Sequence, residues 1–135
     1  MSVFVDTSAL LALMNADDAF HIKARTLFNA LLTNGAELIT TNYVVVETIA
    51  VLQSRYGMEP VYDFLDGIMP TLQVVWISQS DHQAAEQLLR AVNRRRVSLV
   101  DCVSFVIMNK HGINQVFAWD RDFEDFGFTI LESVQ

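Results

Sequence analysis

Short runs of apolar, often β-branched residues recur along the chain, and longer stretches with helical periodicity separate them. An apolar run without alternation predicts a strand that is buried on both faces, as in a parallel sheet. The runs that predict strands are SVFV at 2–5, AELITT at 36–41, LQVVWIS at 72–78, QVFAWD at 115–120 and FTIL at 128–131.

The stretches between these strands place apolar residues three and four positions apart, which predicts amphipathic helices. Helices are expected at 7–15, 17–35, 42–57, 59–69, 80–95 and 98–112, with one helical turn at 121–127. Thr7 or Ser8 would cap the first helix, Asn42 would cap the third, and Gly57 would end it. The alternation predicts an α/β fold, a three-layer α/β/α sandwich on a mainly parallel sheet, as a single domain over 1–135.

Composition indicates which oligomeric state and which cellular location to expect for this fold. Hydrophobic residues make up 52% of the chain and charged residues 19%, and this apolar surplus predicts a homodimer or a tight heteromer. No apolar run reaches membrane-spanning length, and no signal-type segment opens the chain. The single cysteine, Cys102, excludes an internal disulfide framework. We therefore expect a cytoplasmic protein without a membrane segment.

The net charge of −7 argues against a protein that coats nucleic acid nonspecifically, because such proteins carry a basic footprint. It does not exclude a nuclease, since clustered carboxylates that hold cations make a protein acidic. One basic run stands out at Arg94, Arg95 and Arg96. It fits either a phosphate contact or a solvated helix end, where cations suit the helix dipole.

Four carboxylates occupy unusual positions. Asp6 and Asp120 follow apolar runs and are expected at the carboxyl ends of strands, the edge where α/β sheets collect their sites. Each of the two is also suited to cap the next helix. Glu47 lies on an apolar helical face, where an acid is costly unless an arginine or a cation neutralises it. Asp101 completes a capping box with Ser98, yet it stands in an apolar helix.

The four together are harder to explain by local structure than any one alone. Like charges that lie close repel and raise one another's pKa unless cations fill the gap. Oxygen ligands without histidine or cysteine favour Mg²⁺ or Mn²⁺ over Zn²⁺. The sequence thus predicts a carboxylate site for a divalent cation, which is a common way to handle phosphate chemistry.

Four motifs carry a resemblance to a known family. In order and spacing, VFVDTSALLALM, TTNYVVVETIAVL, VSLVDCVSFVIM and VFAWDRDFEDFGFTIL resemble the PIN-domain ribonucleases, and among them the VapC toxins of toxin–antitoxin pairs. The resemblance covers nearly the whole chain. It implies that Asp6, Glu47, Asp101 and Asp120 are catalytic metal ligands. It also implies Mg²⁺- or Mn²⁺-dependent cleavage of RNA, inhibition by a VapB-type antitoxin, and a homodimer.

One departure from the family pattern bears on the fourth acid. The family commonly has Thr or Ser two residues before this acid, and the chain has Ala118 there. A hydroxyl that would orient Asp120 or a water is therefore missing. Asp122 stands close by and is an alternative to Asp120 as the fourth acid, but we expect it to face solvent or to cap the turn.

Two further side chains have alternative roles. Ser8 fits either a hydrogen bond to a metal-bound water or ordinary helix capping. Trp119 fits either stacking on a base or packing beside the sheet.

Three other functions are compatible with parts of the pattern. A catalytically degenerate PIN-fold module that binds RNA or protein is supported by Ala118. A DNA nuclease would use the same metal site, since contacts to the 2′-hydroxyl distinguish RNA from DNA. A phosphohydrolase with Asp6 as covalent nucleophile would typically need a second carboxylate two residues on, where the chain has Ser8.

Overall fold

The computed structural model describes residues 1–133, so the last two residues of the predicted domain lie outside the described part. Its strands are β1 (Ser2–Val5), β2 (Glu37–Thr41), β3 (Leu72–Val75), β4 (Gln115–Phe117) and β5 (Thr129–Ile130). They form one sheet in the order β3-β2-β1-β4-β5, and all four neighbouring pairs are parallel. The carboxyl ends of the five strands therefore share one edge, which confirms the predicted α/β fold with a parallel sheet.

The helices fill the connections between the strands. They are α1 (Thr7–Met14), α2 (His21–Thr33), α3 (Asn42–Tyr56), α4 (Met58–Asp63), α5 (Gln79–Val92), α6 (Leu99–His111) and α7 (Asp122–Asp125). After α4 the chain continues in a π-helical turn, Phe64–Ile68, and a 3₁₀ turn, Met69–Thr71. None of the helices within residues 1–133 has the length and apolar character needed to cross a bilayer.

The core is built on the central strand β1 and on a cluster of phenylalanines beneath α6. Val3, Phe4 and Val5 are fully buried, as expected for a strand covered on both faces. Phe105 of α6 packs edge-on against Phe123, with ring centroids 5.1 Å apart. It also stacks on the two aromatic residues that follow α7, Phe126 and Phe128. This cluster fixes α7, and the residues just before it, against α6.

Three helix starts differ from the prediction. The N-cap of α1 is Asp6 rather than Thr7 or Ser8, because the Asp6 carboxylate accepts the N–H of Ser8. The second helix begins at His21 rather than near Asp17. Side-chain oxygens of Asn15 and Asp18 accept the backbone N–H groups of Asp17 and Phe20, at 3.1 and 2.8 Å. Such local bonds compete with helix formation.

The cap of α3 also differs, because Thr41 rather than Asn42 accepts the N–H of Val44. The side chain of Asn42 instead accepts the N–H of Ile77, at 2.8 Å. Gly57 ends α3 as predicted, with a positive φ of 87° that favours glycine.

Truncating Phe105 tests the aromatic cluster. We expect Phe105→Ala to lower the free energy of unfolding by about 3–5 kcal/mol, because it removes a buried ring and leaves a cavity. Urea denaturation followed by circular dichroism measures the change. Ile22→Ala is the control, since that side chain is 80% exposed; equal losses in the two variants would contradict the packing described here.

Candidate active site

Asp6 follows β1 directly and is the N-cap of α1. Its Oδ2 accepts two hydrogen bonds from Ser8, one from the backbone N–H at 3.2 Å and one from the hydroxyl at 2.7 Å. The same hydroxyl accepts the backbone N–H of Trp119, at 2.9 Å. The N–H of Asp6 donates to the carbonyl of Phe117, at 3.1 Å. Ser8 therefore links the end of β1 to the segment after β4.

Asp101 lies in the first turn of α6 and makes the predicted capping box. Its Oδ2 accepts the N–H of Ser98 at 2.9 Å, and its own N–H donates to the Ser98 hydroxyl at 3.1 Å. The side chain is nevertheless buried. Asp101 thus caps its helix and at the same time presents a carboxyl group inside the fold.

Glu47 is half-buried on α3, which begins directly after β2. One predicted alternative was an ion pair between Glu47 and an arginine. Within residues 1–133, no lysine, arginine or histidine forms an ion pair with Glu47. The structure therefore does not support the alternative in which an arginine neutralises Glu47 on this helix.

Asp120 lies three residues beyond the end of β4, so the prediction that it ends this strand is wrong. Pairing stops at Phe117, and the N–H of Trp119 turns to the Ser8 hydroxyl instead of to a strand. The Oδ1 of Asp120 accepts the N–H of Asp122, at 2.9 Å. A backbone donor thus orients the fourth acid, although Ala118 supplies no hydroxyl.

The carboxylates act on one another electrostatically. Burial raises the pKa of Asp6 to about 7, and the charge of Asp101 adds to this rise, while the bonds from Ser8 oppose it. Burial also raises the pKa of Asp101 to about 6, with contributions from the charges of Asp120 and Glu47 against the bonds from Ser98. Asp6, Glu47 and Asp120 therefore each lie within electrostatic range of Asp101.

The donor set fits a hard divalent cation, although the side chains are not closed around one. Within residues 1–133, no three His, Cys, Asp or Glu side chains converge closely enough to chelate an ion as they stand. The predicted donors are carboxyl oxygens, the class that Mg²⁺ and Mn²⁺ prefer. A bound cation would offset the burial and the smaller charge repulsion that together raise the pKa of Asp6 and Asp101.

Asp122 is a residue whose place the sequence prediction missed. The prediction that it faces solvent or caps the turn is wrong, because its side chain is only 4% exposed and forms an ion pair with Arg96. Nε and Nη2 of Arg96 lie 3.2 and 3.0 Å from Asp122 Oδ1. Burial raises the pKa of Asp120, the charge of Asp122 adds to the rise, and Arg96 opposes it. The sequence signal for this ion pair was an aspartate two residues after Asp120 together with the run of arginines at 94–96.

The other two arginines of the run have different surroundings. Arg94 pairs with Asp125 at 3.1 Å and lies over the ring of Phe126. Arg95 is exposed, and within residues 1–133 it forms no ion pair. Two of the three arginines therefore have structural partners.

Comparison with known proteins gives consistent matches. A family model described as PIN domain matches residues 3–129. The 23S rRNA-specific endonuclease VapC20 of Mycobacterium tuberculosis is 36% identical over 128 residues, which cover 93% of this chain and 95% of the relative. Ribonuclease VapC13 of the same organism is 23% identical over 127 residues, 92% of this chain and 94% of that protein.

Solved structures agree with these sequence matches. The crystal structure of VapC20, described as a sarcin–ricin loop cleaving toxin, superposes with a TM-score of 0.81 at 32% identity, covering 94% of this chain and 96% of that one. VapBC2 from Rickettsia felis, bound to a DNA fragment from its promoter, gives 0.71 at 11% identity, with 97% and 98% covered. At 11% identity, the match to VapBC2 shows a shared fold only.

Replacing Asp6 by asparagine tests the cost of its buried charge. The carboxyl group keeps its proton to about pH 7 in the folded state, against 3.8 ordinarily. The wild type is therefore expected to lose stability as the pH rises from about 4 to 7. Asp6→Asn cannot ionise, so at pH 8 in EDTA it should be more stable by roughly 2 kcal/mol, about 5–10 °C in melting temperature.

Thermal melts at pH 4 and pH 8 measure this difference, which should shrink at pH 4. Asp17→Asn is the control, because that side chain is exposed. A lower melting temperature for Asp6→Asn than for the wild type at pH 8 would contradict the prediction.

Removing Arg96 tests the ion pair with Asp122. We expect Arg96→Ala to lower the free energy of unfolding by about 1–2 kcal/mol, because it leaves a buried carboxylate without its cation. The loss is modest because the arginine is largely exposed and water screens the pair. Arg95→Ala is the matched control in denaturant titrations. Indistinguishable curves for the two variants would show that the pair contributes nothing.

Proposed function

Because this chain belongs to the PIN-domain family, we propose that it is an endoribonuclease and the toxin of a VapBC-type toxin–antitoxin pair. The family predicted from the four motifs is confirmed by the match over residues 3–129 and by the 36% identity to VapC20. One observation carries the proposal: the charges of Asp101 and of three other predicted acids, Asp6, Glu47 and Asp120, interact, in a chain that matches named endonucleases over nearly its whole length.

We propose Asp6, Glu47 and Asp101 as ligands of Mg²⁺ or Mn²⁺, with Asp120 completing the site. PIN-domain nucleases generally depend on divalent metals, and the oxygen donor set supports these two ions. When bound, such an ion lowers the pKa of a water and offsets the charge of the phosphate.

The hydrogen bonds around the acids give each one a separate task. Ser8 and Ser98 hold Asp6 and Asp101 in fixed orientations, so these two are suited to binding rather than to moving a proton. Within residues 1–133, no side-chain hydrogen bond holds Glu47. Glu47 is therefore free to turn towards a bound ion, and a carboxylate that is not bound to the metal would accept the proton of the attacking water. Hydrolysis of this kind leaves a 5′-phosphate and a 3′-hydroxyl.

We propose ribosomal RNA as the substrate, with the sarcin–ricin loop as the first target to test. Support comes from the 36% identity to a 23S rRNA-specific endonuclease and from the fold match to a sarcin–ricin loop cleaving toxin. Such a substrate would place the protein in the cytoplasm. Arg95 is a further candidate for a phosphate contact, since it is exposed at the start of the α6 segment.

We propose a VapB-type antitoxin as the protein partner. Fold matches to the VapBC2 complex of Rickettsia felis and to FitAcB from Neisseria gonorrhoeae support this, the latter with a TM-score of 0.67 at 12% identity, covering 97% of this chain and 96% of that one. A homodimer stays a prediction from the apolar composition.

A cleavage assay tests the function and the site together. Purified protein with Mn²⁺ or Mg²⁺ should cut 23S rRNA or a sarcin–ricin hairpin, EDTA should stop the reaction, and Asp6→Asn or Asp101→Asn should abolish it. Removing a ligand of a catalytic metal commonly costs several orders of magnitude, so we expect at least about a 100-fold loss. Primer extension locates the cut, and a matched DNA hairpin distinguishes a ribonuclease from a DNA nuclease.

Asp66→Asn serves as the control in this assay, since it changes an exposed acid in the π-helical turn that precedes β3. Full activity of Asp6→Asn and Asp101→Asn would contradict the proposed site. Ala118 gives a specific reason to consider a degenerate module that binds without cutting. Calorimetry with Mn²⁺ separates the two, because a degenerate site is expected to bind no ion.

A further inference from the structure

A cleft of about 270 Å³ opens beside the acidic site. Its lining consists of Ser8, Leu11, Asn15, Asp18, Phe20, Arg55, Tyr56 and Trp119, and the Asp18 carboxylate in it accepts the N–H of Phe20. Ser8 is the residue whose hydroxyl binds Asp6, so one end of the cleft is the wall of the acidic site itself. A group held in the cleft would therefore lie next to whatever the acids act on.

Two aromatic rings form one side of this cleft. The rings of Phe20 and Trp119 lie 5.2 Å apart between centroids, tilted by 41°. Trp119 also packs on the fully buried Phe117, at 5.6 Å, while Phe20 is 43% exposed. The indole is thus supported from behind by the core, and the pair keeps apolar ring surface accessible.

The position of Trp119 is tied directly to that of Asp6. Its backbone N–H donates to the Ser8 hydroxyl, and this hydroxyl donates to Asp6. Two hydrogen bonds therefore set the spacing between the aromatic surface and the first acid. Such a fixed spacing suits a ligand that must present one group to the aromatic ring and the adjacent group to the acids.

The lining of the cleft includes a cationic residue. Arg55 is exposed in the last turn of α3, and within residues 1–133 it pairs with no acidic side chain. Beside it, Asn15 Nδ2 donates to the Tyr56 hydroxyl, at 3.0 Å. An arginine available for a phosphate, together with stacked aromatics, is the combination that binds single-stranded nucleic acid.

We propose that this cleft binds one unstacked RNA base next to the scissile phosphate. In this arrangement the base stacks on Trp119 with Phe20 as its neighbour, and Arg55 contacts the phosphate on the far side of that base. The inference rests on the proposed ribonuclease function, and it makes Trp119 a residue that positions the RNA strand at the site of the cut.

Kinetics on intact and abasic RNA test the stacking. With a sarcin–ricin hairpin as substrate, Trp119→Leu should raise KM about tenfold while kcat changes less than threefold, since stacking contributes to binding. Hairpins with a single abasic site at either nucleotide flanking the cut remove the base. On the abasic hairpin that lacks the stacked base, the KM of the wild type should rise by a similar factor. The KM of Trp119→Leu should rise little further than it does on the intact hairpin.

Fluorescence gives a readout that does not depend on cleavage. The chain has two tryptophans, and Trp76 is 77% exposed beyond β3, so Trp76→Phe leaves Trp119 as the sole emitter. In the Asp6→Asn background, the hairpin should quench this emission, and the hairpin without the stacked base should not. Trp76→Phe alone is the control for activity and should cleave like the wild type.

Two results would overturn the proposal. One is an equal loss for Trp119→Leu on intact and abasic hairpins, which would mean that the indole only supports the fold. The other is unchanged Trp119 emission at saturating hairpin, which would leave the cleft to a protein partner.

Trp119→Phe, which keeps an aromatic ring, should recover most of the binding. If no RNA is cut at all, the proposed function fails, whereas quenching by the hairpin would still support the cleft.

Discussion

Three of the site's acids, Asp6, Asp101 and Asp120, accept hydrogen bonds from N–H or O–H donors near the starts of helices. The rest of the site depends on these hydrogen bonds. A buried carboxylate is costly unless donors satisfy it. Asp6 caps α1 through Ser8, Asp101 caps α6 through Ser98, and Asp120 accepts an N–H at the start of α7. The sequence left a choice between cap and ligand for Asp6 and Asp101. In the structure the cap supplies the orientation that a ligand would need, so the two roles are compatible in one side chain.

The fold was predictable because its strands are apolar runs and its helices are periodic, and both patterns are local. The edge at which the acids gather followed from the parallel arrangement alone. Element ends were less predictable. The start of α2 depends on Asn15 and Asp18 competing for backbone N–H groups, and the end of β4 depends on Ser8, more than a hundred residues away in the sequence. Bonds of that range leave no periodic signal.

Asp122 shows why burial of a charged residue is hard to predict from sequence. Its neighbours along the chain, Arg121 and Glu124, are exposed, and an aspartate at the start of a short helix ordinarily faces water. Two contacts distant in sequence make its burial possible: the ion pair with Arg96, and the packing of the adjacent Phe123 against Phe105. The aromatic cluster draws α7 inwards, and the arginine then neutralises the acid that comes with it. The same pair limits the negative charge around Asp120, which faces the other acids.

The Ser8 hydroxyl links the chemistry of the site to the proposed base cleft. A hydroxyl group has one proton and two acceptor positions. Ser8 gives the proton to Asp6 and uses one acceptor position for the N–H of Trp119, so it cannot also donate to a metal-bound water while both bonds persist. The structure contradicts helix capping by Ser8, since Asp6 is the N-cap of α1, and gives its hydroxyl the task of positioning Asp6 and Trp119. A change at Ser8 would therefore disturb the orientation of the first acid and the placement of the indole at once, which couples recognition of a base to the geometry of cleavage.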